Sequence, residues 1–398
     1  MLDEVVIVSA VRTPIGKLNG ALSSLSAVEL GTRAAQAALK RGHVDPQSVD
    51  QVIFGNVLQA GSGQNVARQI ELNSGIPVTS TAMTINQVCG SSMKAIHLGQ
   101  TAIQVGDADV VLVGGTESMS QSPYLVPDMR TGHKFGSLEL TDSMEHDGLT
   151  DAFNHYPMGI TAENVADQFH VSRDQQDQFA LASHMKAAAA RESGRFTDEI
   201  VPVTVQTRQG PVIVSTDEAI RPDTSLEKLA RLSPSFKPDG TVTAGNAAGI
   251  NDGAAALILM RRSLADARHI PYQAVIRGYQ ETGIDPAIMG YAPVQTIPAL
   301  LARTQTDQKA VGRFEVNEAF ASQSVAIERD LALPTDKLNV NGGAIALGHP
   351  IGMTGARLIV TLLYDLIHDN ETTGVAAMCV GGGMGTAMQI ERTPTTSV

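Results

Sequence analysis

The chain has 398 residues, 43% hydrophobic and 18% charged, with a formal net charge of −12. That length and balance describe a globular chain of roughly two or three domains with ample material for a core. An acidic surface, 4% aromatic side chains and no tryptophan speak against nucleic acid as a partner, and leave any anionic ligand dependent on local positive charge. The two cysteines, Cys89 and Cys379, lie too far apart in sequence to suggest a disulfide framework, so a reducing cytoplasm is the expected setting. No apolar run approaches the ~18 residues that span a bilayer, so no membrane association is expected. Met1-Leu2-Asp3-Glu4 leads into Val5 without a basic leader, and Thr396-Ser397-Val398 is not a peroxisomal address.

In chain order, hydrophobic periodicity predicts a strand at 5–8, a helix over 27–40, a strand at 51–54, helices over 65–73 and 91–105, and a strand at 109–113. This alternation is that of a layered α/β domain. From Ser120 to about Gly245 the texture changes to scattered Pro, Gly, Asp, His and Met, with one strong amphipathic helix over 173–193, as expected of a large insertion carrying binding loops. Regular alternation then resumes: strands at 254–260, 274–279 and 313–316, helices near 263–268 and 293–303 and from Phe320, and a closing strand, helix and strand. Asp109 to Met119 and Gly374 to Gly385 each follow a helix and run from an apolar strand into Gly-Gly, which points to two copies of one α/β unit.

Cys89 stands in Asn86-Gln87-Val88-Cys89-Gly90-Ser91-Ser92, where an apolar stretch passes through small residues into a helical pattern. A thiol at the start of a helix meets unpaired N–H groups and the positive end of the dipole, which favours a nucleophilic thiolate of lowered pKa. The bland alternative is a small buried hydrophobe. Three more clusters open from strands or loops: Asn317-Glu318-Ala319-Phe320, Gly348-His349-Pro350-Ile351-Gly352, and Cys379 leading into Gly381-Gly382-Gly383. Separately, Asn317 could be a helix N-cap, His349 a turn histidine and Cys379 an inert strand residue. Together they supply carbon–carbon Claisen chemistry on a thioester. One thiolate accepts an acyl group, an imidazole handles its proton, backbone N–H groups face an oxyanion, and a second thiol moves the proton of an α-carbon.

Over nearly its whole length the sequence resembles the thiolases, most closely the short-chain acetyl-CoA acetyltransferase type. The resemblance rests on Ser9 to Gly16, Asn86 to Ser91, Gly114 to Ser120, Met158 to Asn164, Thr243 to Asn246, Asn251 to Ala255, Asn317 to Phe320, Gly348 to Gly352 and Cys379 to Gly385. It implies a five-layered αβαβα fold of two similar βαβαβαββ halves, the first formed by 1–119 with 246–270 and the second by 271–398. Residues 120–245 would be an inserted loop domain for coenzyme A binding and oligomerisation. It further implies Cys89 as acyl-accepting nucleophile, His349 as its activator and an oxyanion donor, and Cys379 as acid and base at the substrate α-carbon. Asn317 would orient an oxyanion-hole water, and the N–H groups of Cys89 and Gly381 would form a second hole. Coenzyme A would meet Arg221 and Lys228 at its nucleotide end and Leu149, Met158, Leu232, Phe236, Ala244, Ala248, Ala319 and Phe320 along the pantetheine. No permanently bound cofactor or metal is implied. The substrates would be acetyl-CoA, acetoacetyl-CoA and CoA, and the assembly a homotetramer built as a dimer of dimers, with 59–65 at the dimer contact.

Three positions depart from the acetyl-specific pattern. Ala248 stands where a serine is usual, and Pro157 where a histidine is usual, so that Tyr156-Pro157-Met158-Gly159 resembles the degradative 3-ketoacyl-CoA thiolases of broader chain length. Ala292 adds a methyl to a Met-Gly-x-Gly-Pro pattern, expected near the acyl site and favouring small acyl groups. The segment from Ser122 through Phe153 is of the short-chain biosynthetic kind. A decarboxylating condensing enzyme would carry a second histidine in place of Cys379, and a non-catalytic relative would have lost one of the reactive residues. The ten histidines show neither HExxH nor Cys-x-x-Cys spacing.

Overall fold

A computed structural model describes residues 3–393; the extreme termini, including Thr396 to Val398, lie outside the described residues. The first half begins with β1 (Val5–Arg12), α1 (Ala27–Arg41), β2 (Gln51–Gly55), α2 (Val66–Asn73), β3 (Thr81–Ile85), α3 (Ser91–Val105) and β4 (Val110–Ser118). The insertion contributes α4 (Met158–Gln168), α5 (Arg173–Glu192) and a hairpin of Val203–Thr207 with Gly210–Val214. After it come β5 (Asn251–Arg261), β6 (Ala274–Gly283), α6 (Pro293–Thr304), β7 (Arg313–Val316), α7 (Ala321–Asp330), α8 (Thr354–His368), β8 (Thr373–Val380) and β9 (Met384–Arg392).

The principal sheet runs β7-β8-β9-β6-β1-β5-β4-β2-β3, and its two halves meet at a seam of only two residue pairs, Val6 with Val275 and Ile7 with Ala274. On one side of the seam the order from the edge is β3-β2-β4-β5-β1. On the other it is β7-β8-β9-β6, with Leu338 bridging in parallel to Phe314 where a counterpart of β3 would lie. The duplication suggested by the two Gly-Gly strands is thus carried by strand order, with one strand of the second copy reduced to a single bridge.

Side-chain alternation along the strands builds the layers. In β1, Val6, Val8 and Val11 face α1 and α2, while Val5, Ile7 and Ala10 face the interior. In β8, Val375 and Ala377 face α6 and α7, while Ala376, Met378 and Val380 face the same interior from the other side. Helices α3 and α8 fill the space between. Residues Thr354 to Leu366 of α8 are all buried, as a helix packed between two sheets must be apolar nearly all round. A Cβ at Gly355 would stand 2.5 Å from the Met93 nitrogen, so only glycine lets α8 pass this close to α3.

Capping explains why α1 and α5 begin where they do: Ser26 with Glu29 and Ser172 with Gln175 form capping boxes. The strand β3, the helix α4 and the insertion's hairpin are absent from the sequence expectation. Thr81–Ile85 is a half-exposed edge strand without clear alternation, so periodicity does not mark it. Asn65 and Phe320 prove to be N-caps rather than first helical residues.

Candidate active site

Cys89 sits between β3 and α3, one residue before the N-cap Gly90. The preceding Val88 adopts φ +48°, a conformation a β-branched residue accepts only when neighbours enforce it. Here the Asn86 side chain accepts from Val88 N–H at 2.9 Å. Ser91 Oγ donates to the Val88 carbonyl at 2.6 Å and accepts from Gln87 N–H at 2.8 Å. These contacts account for the run Asn86 to Ser91 and turn the thiol inward, where it is buried.

Helix-end activation does not prevail, contrary to the sequence expectation of a lowered pKa. Burial pushes the Cys89 thiol up to about 11, against the lowering pull of the N–H groups of Gly381 and of Cys89 itself, both of which reach its sulfur. The buried carboxylate of Glu117 adds to the rise. Cys89 therefore rests as a thiol, and its alkylation in the substrate-free chain should accelerate about tenfold per pH unit above neutrality. It should level off only near pH 11. Peptide-resolved iodoacetamide labelling measures this, and a plateau already at neutral pH would contradict it.

His349, which lines the same cavity as Cys89, is the candidate base. Its backbone N–H donates to Asn251 Oδ1 at 3.0 Å, and its Nδ1 lies 2.6 Å from Thr354 Oγ1. Thr354 has one hydroxyl proton, which goes to the Pro350 carbonyl at 2.8 Å, so Nδ1 carries the imidazole hydrogen and Nε2 the free lone pair. Burial, and then the nearby Arg357 guanidinium, push the His349 pKa down to about 3, which leaves the ring neutral and able to accept a proton. Nε2 lies 3.5 Å from Asn317 Nδ2, and Asn317 Oδ1 is buried without a partner. Asn317 is not a helix cap; that position belongs to Phe320, and the asparagine faces the histidine.

Cys379 is the penultimate residue of β8, fully buried among Met289, Ala319, Met158 and Phe320. Burial, and then the neighbouring Cys89, hold its thiol above the ordinary cysteine range. Its strand turns back into β9 through Gly382 and Gly383, at φ +86° and +83°. The loop bearing His349 is tied to the first half by Glu117, which accepts from the N–H groups of Val57, Leu58 and Gly352 and from Asn56 Nδ2. Gly115 permits the contact: a Cβ there would lie 2.1 Å from the Gly352 carbonyl.

A narrow cavity of about 80 Å³ opens on Cys89, His349 and Gly381, walled by Leu149, Met158, Ala248, Met289, Ala319 and Phe320. Phe236 packs edge-on to Phe320 behind this wall, and Leu232 packs against Gly245. Ala244, Arg221 and Lys228 are exposed on the insertion, away from the cavity; Lys228 pairs with Asp223. Ala292 does not line the cavity. Its methyl is fully buried against Gly385 of β9, and Met289 is the residue of this segment that reaches the cavity wall, so the extra methyl expected near the acyl site is not at the cavity. A larger cleft of about 550 Å³ between α5 and α7 holds neither cysteine nor His349. Sequence reasoning gave no role to Thr354, Asn251, Glu117 and Gln323; Asn251 and Glu117 stand in runs that carry the family resemblance, but the contacts of all four are tertiary. No metal-binding cluster of His, Cys, Asp and Glu occurs among the described residues.

The fold and this site define a class. Residues 5–263 match the thiolase N-terminal domain and residues 270–392 the thiolase C-terminal domain, and the chain belongs to the thiolase family. An acetyl-CoA acetyltransferase of Chromobacterium violaceum is 50% identical over 390 residues, covering 98% of this chain and all of that one. A probable acetyl-CoA acyltransferase of Staphylococcus aureus is 49% identical over 392 residues, with 98% and 100% coverage. Among solved structures, the Bacillus anthracis acetyl-CoA acetyltransferase superposes with a TM-score of 0.96 at 44% identity, over 98% of this chain and 99% of that one. Human mitochondrial 3-ketoacyl-CoA thiolase gives 0.96 at 45% identity, with the same coverage. Among the described residues no helix is long and apolar enough to cross a membrane.

Proposed function

We propose that the chain is an acetyl-CoA C-acetyltransferase, condensing two acetyl-CoA into acetoacetyl-CoA and CoA through an acyl-cysteine. The carrying observation is that a buried thiol, Cys89, and a neutral histidine, His349, line one small apolar cavity, while the second buried thiol, Cys379, packs directly against its wall residues Met158, Met289, Ala319 and Phe320. His349 Nε2 takes the Cys89 proton as the sulfur attacks the thioester carbonyl, and the N–H groups of Cys89 and Gly381 face the developing oxyanion. The C–S bond to CoA breaks, and Cys379 protonates the departing thiolate, which leaves Cys379 as a thiolate beside a charged His349. A second acetyl-CoA loses its α-proton to Cys379, its carbanion attacks the acyl-Cys89 carbonyl, and Asn317 with its unpartnered Oδ1 orients a water near the enolate oxygen. Cys89 leaves and recovers its proton from His349, so both groups return to their starting states.

In the same reading coenzyme A lies along the insertion, its pantetheine by Leu149, Met158, Leu232, Phe236, Ala244, Ala248, Ala319 and Phe320. Arg221, whose guanidinium is free of carboxylate partners among the described residues, meets the phosphates, with Lys228 nearby. The half boundaries at 1–119 with 246–270, 120–245 and 271–398 belong to this reading. So does a dimer of dimers in the cytoplasm, in which the half-exposed edge strand β3 and the exposed apolar residues Val78, Tyr124, Phe135 and Leu140 become covered.

Two measurements test the function. After incubation with acetyl-CoA, intact mass and peptide mapping should place one acetyl group on Cys89; acetylation of Cys379 instead would refute the assignment. Thiolysis rates should fall as the 3-ketoacyl chain lengthens, in keeping with the narrow apolar space beside Cys89 and His349; a preference for eight or more carbons would favour the degradative alternative.

A further inference from the structure

Gln323 lies in the first turn of α7, fully buried, and touches two members of the site. Its Nε2 donates to the Asn317 carbonyl at 2.9 Å, and its Oε1 accepts from Cys379 Sγ at 2.8 Å. The orientation of the amide is fixed by chemistry. A backbone carbonyl only accepts, so the NH₂ group must face Asn317 and the oxygen must face the thiol. Gly290 closes the remaining side: a Cβ at that position would stand 3.0 Å from Gln323 Cβ and 3.3 Å from its Oε1.

An oxygen lone pair aimed at sulfur stabilises S–H and repels S⁻. Burial and the neighbouring Cys89 act in the same direction. In the first acyl transfer the departing CoA thiolate needs an acid, and in the second a base is needed in the same place. A Cys379 that already rested as thiolate would fail the first requirement.

We propose that Gln323 is a positioning residue that keeps Cys379 in its thiol form between turnovers, so that the first transfer finds a proton donor and itself generates the base. The same amide holds the Asn317 backbone, so proton carrier and oxyanion asparagine are set by one side chain. The inference rests on the assignment of Cys379 to proton transfer made above.

The test uses the full chain in a Cys89→Ser background, where Cys379 is the only thiol. Alkylation of Cys379 by iodoacetamide is followed by intact mass near pH 8. Gln323→Met removes the acceptor at nearly constant volume and should speed alkylation about tenfold, the equivalent of one pH unit in thiol acidity. Gln323→Glu keeps an oxygen towards the sulfur in either protonation state and should stay at or below the parent rate. Looser packing alone would speed both. A methionine variant no faster than the parent, or a glutamate variant as fast as the methionine one, overturns the proposal. If the methionine variant does not fold, Gln323→Asn, too short to span both partners, replaces it with the same expectation. The role of Cys379 is tested separately: undiminished condensation by Cys379→Ser would remove that assignment, whatever the alkylation rates show.

Discussion

The Cys89→Ser chain is expected to carry no acetyl group after incubation with acetyl-CoA, and its condensation rate should fall by a factor on the order of 10⁴ or more. The size of the loss follows from the surroundings of the sulfur. Even the thiol is held up to about 11 by burial, so the site relies on His349 taking a proton at the moment of attack. A hydroxyl is far less acidic than a thiol, and a histidine held near 3 is too weak a base to bridge the wider gap. The fold should be unaffected, since sulfur and oxygen differ little in size and the Val88 turn is enforced by Asn86 and Ser91 rather than by Cys89. The same exchange in Cys379→Ser should leave acetylation of Cys89 detectable while condensation fails. An acetylated Cys89→Ser chain, seen by intact mass, would refute the nucleophile.

Arg12→Ala is expected to lower stability by about 3–5 kcal/mol. Arg12 has no exposed surface. Its Nη1 and Nη2 donate to the two Asp217 oxygens at 2.7 and 2.9 Å, and its Nε to Glu199 at 2.7 Å. Removing it leaves two buried carboxylates without a counter-charge. Burial already raises the pKa of Glu199, partly offset by Arg12, so the variant raises it further. A carboxyl whose folded pKa is raised favours the native state at low pH, and that advantage is lost as pH climbs through the folded value. The deficit of the variant, read from denaturant midpoints, should therefore be smaller near pH 5 than near pH 8. A pH-independent deficit would mean that lost packing over Phe196, not charge, is responsible.

The pattern of the chain made most of the outer layers legible. Helical periodicity alone placed α1 and α5 almost to the residue, and the apolar run Val5 to Val8 marked the start of a buried strand. The four residues proposed to react stand out for a different reason: each lies in a short Gly- or Asn-marked run that an ordinary core would not need. What stayed hidden depends on distance through space. Thr354 fixes the histidine tautomer from the start of the next helix, and Gln323 joins Asn317 to a cysteine 56 residues away in sequence. The sign of the Cys89 shift is not legible locally: helix-end electrostatics is a property of the neighbouring sequence, whereas burial by packed elements and the Glu117 carboxylate, which both raise the thiol, arrive from elsewhere in the chain.

Helix α8 also governs when the molecule can become itself. Every residue from Thr354 to Leu366 is covered, by α3 and strands of the first copy on one side and by β7, β8 and β9 on the other, and β8 and β9 follow α8 in the chain. During synthesis the first copy emerges with α3 laid on β2 and β4, but with the inner face of β1 and β5 and the far side of α3 bare until the last tenth or so of the chain is made, a long exposure of apolar surface. Neither copy can finish alone, so the two must close on the helix together, and the reactive pair of thiols comes into being only in that final step.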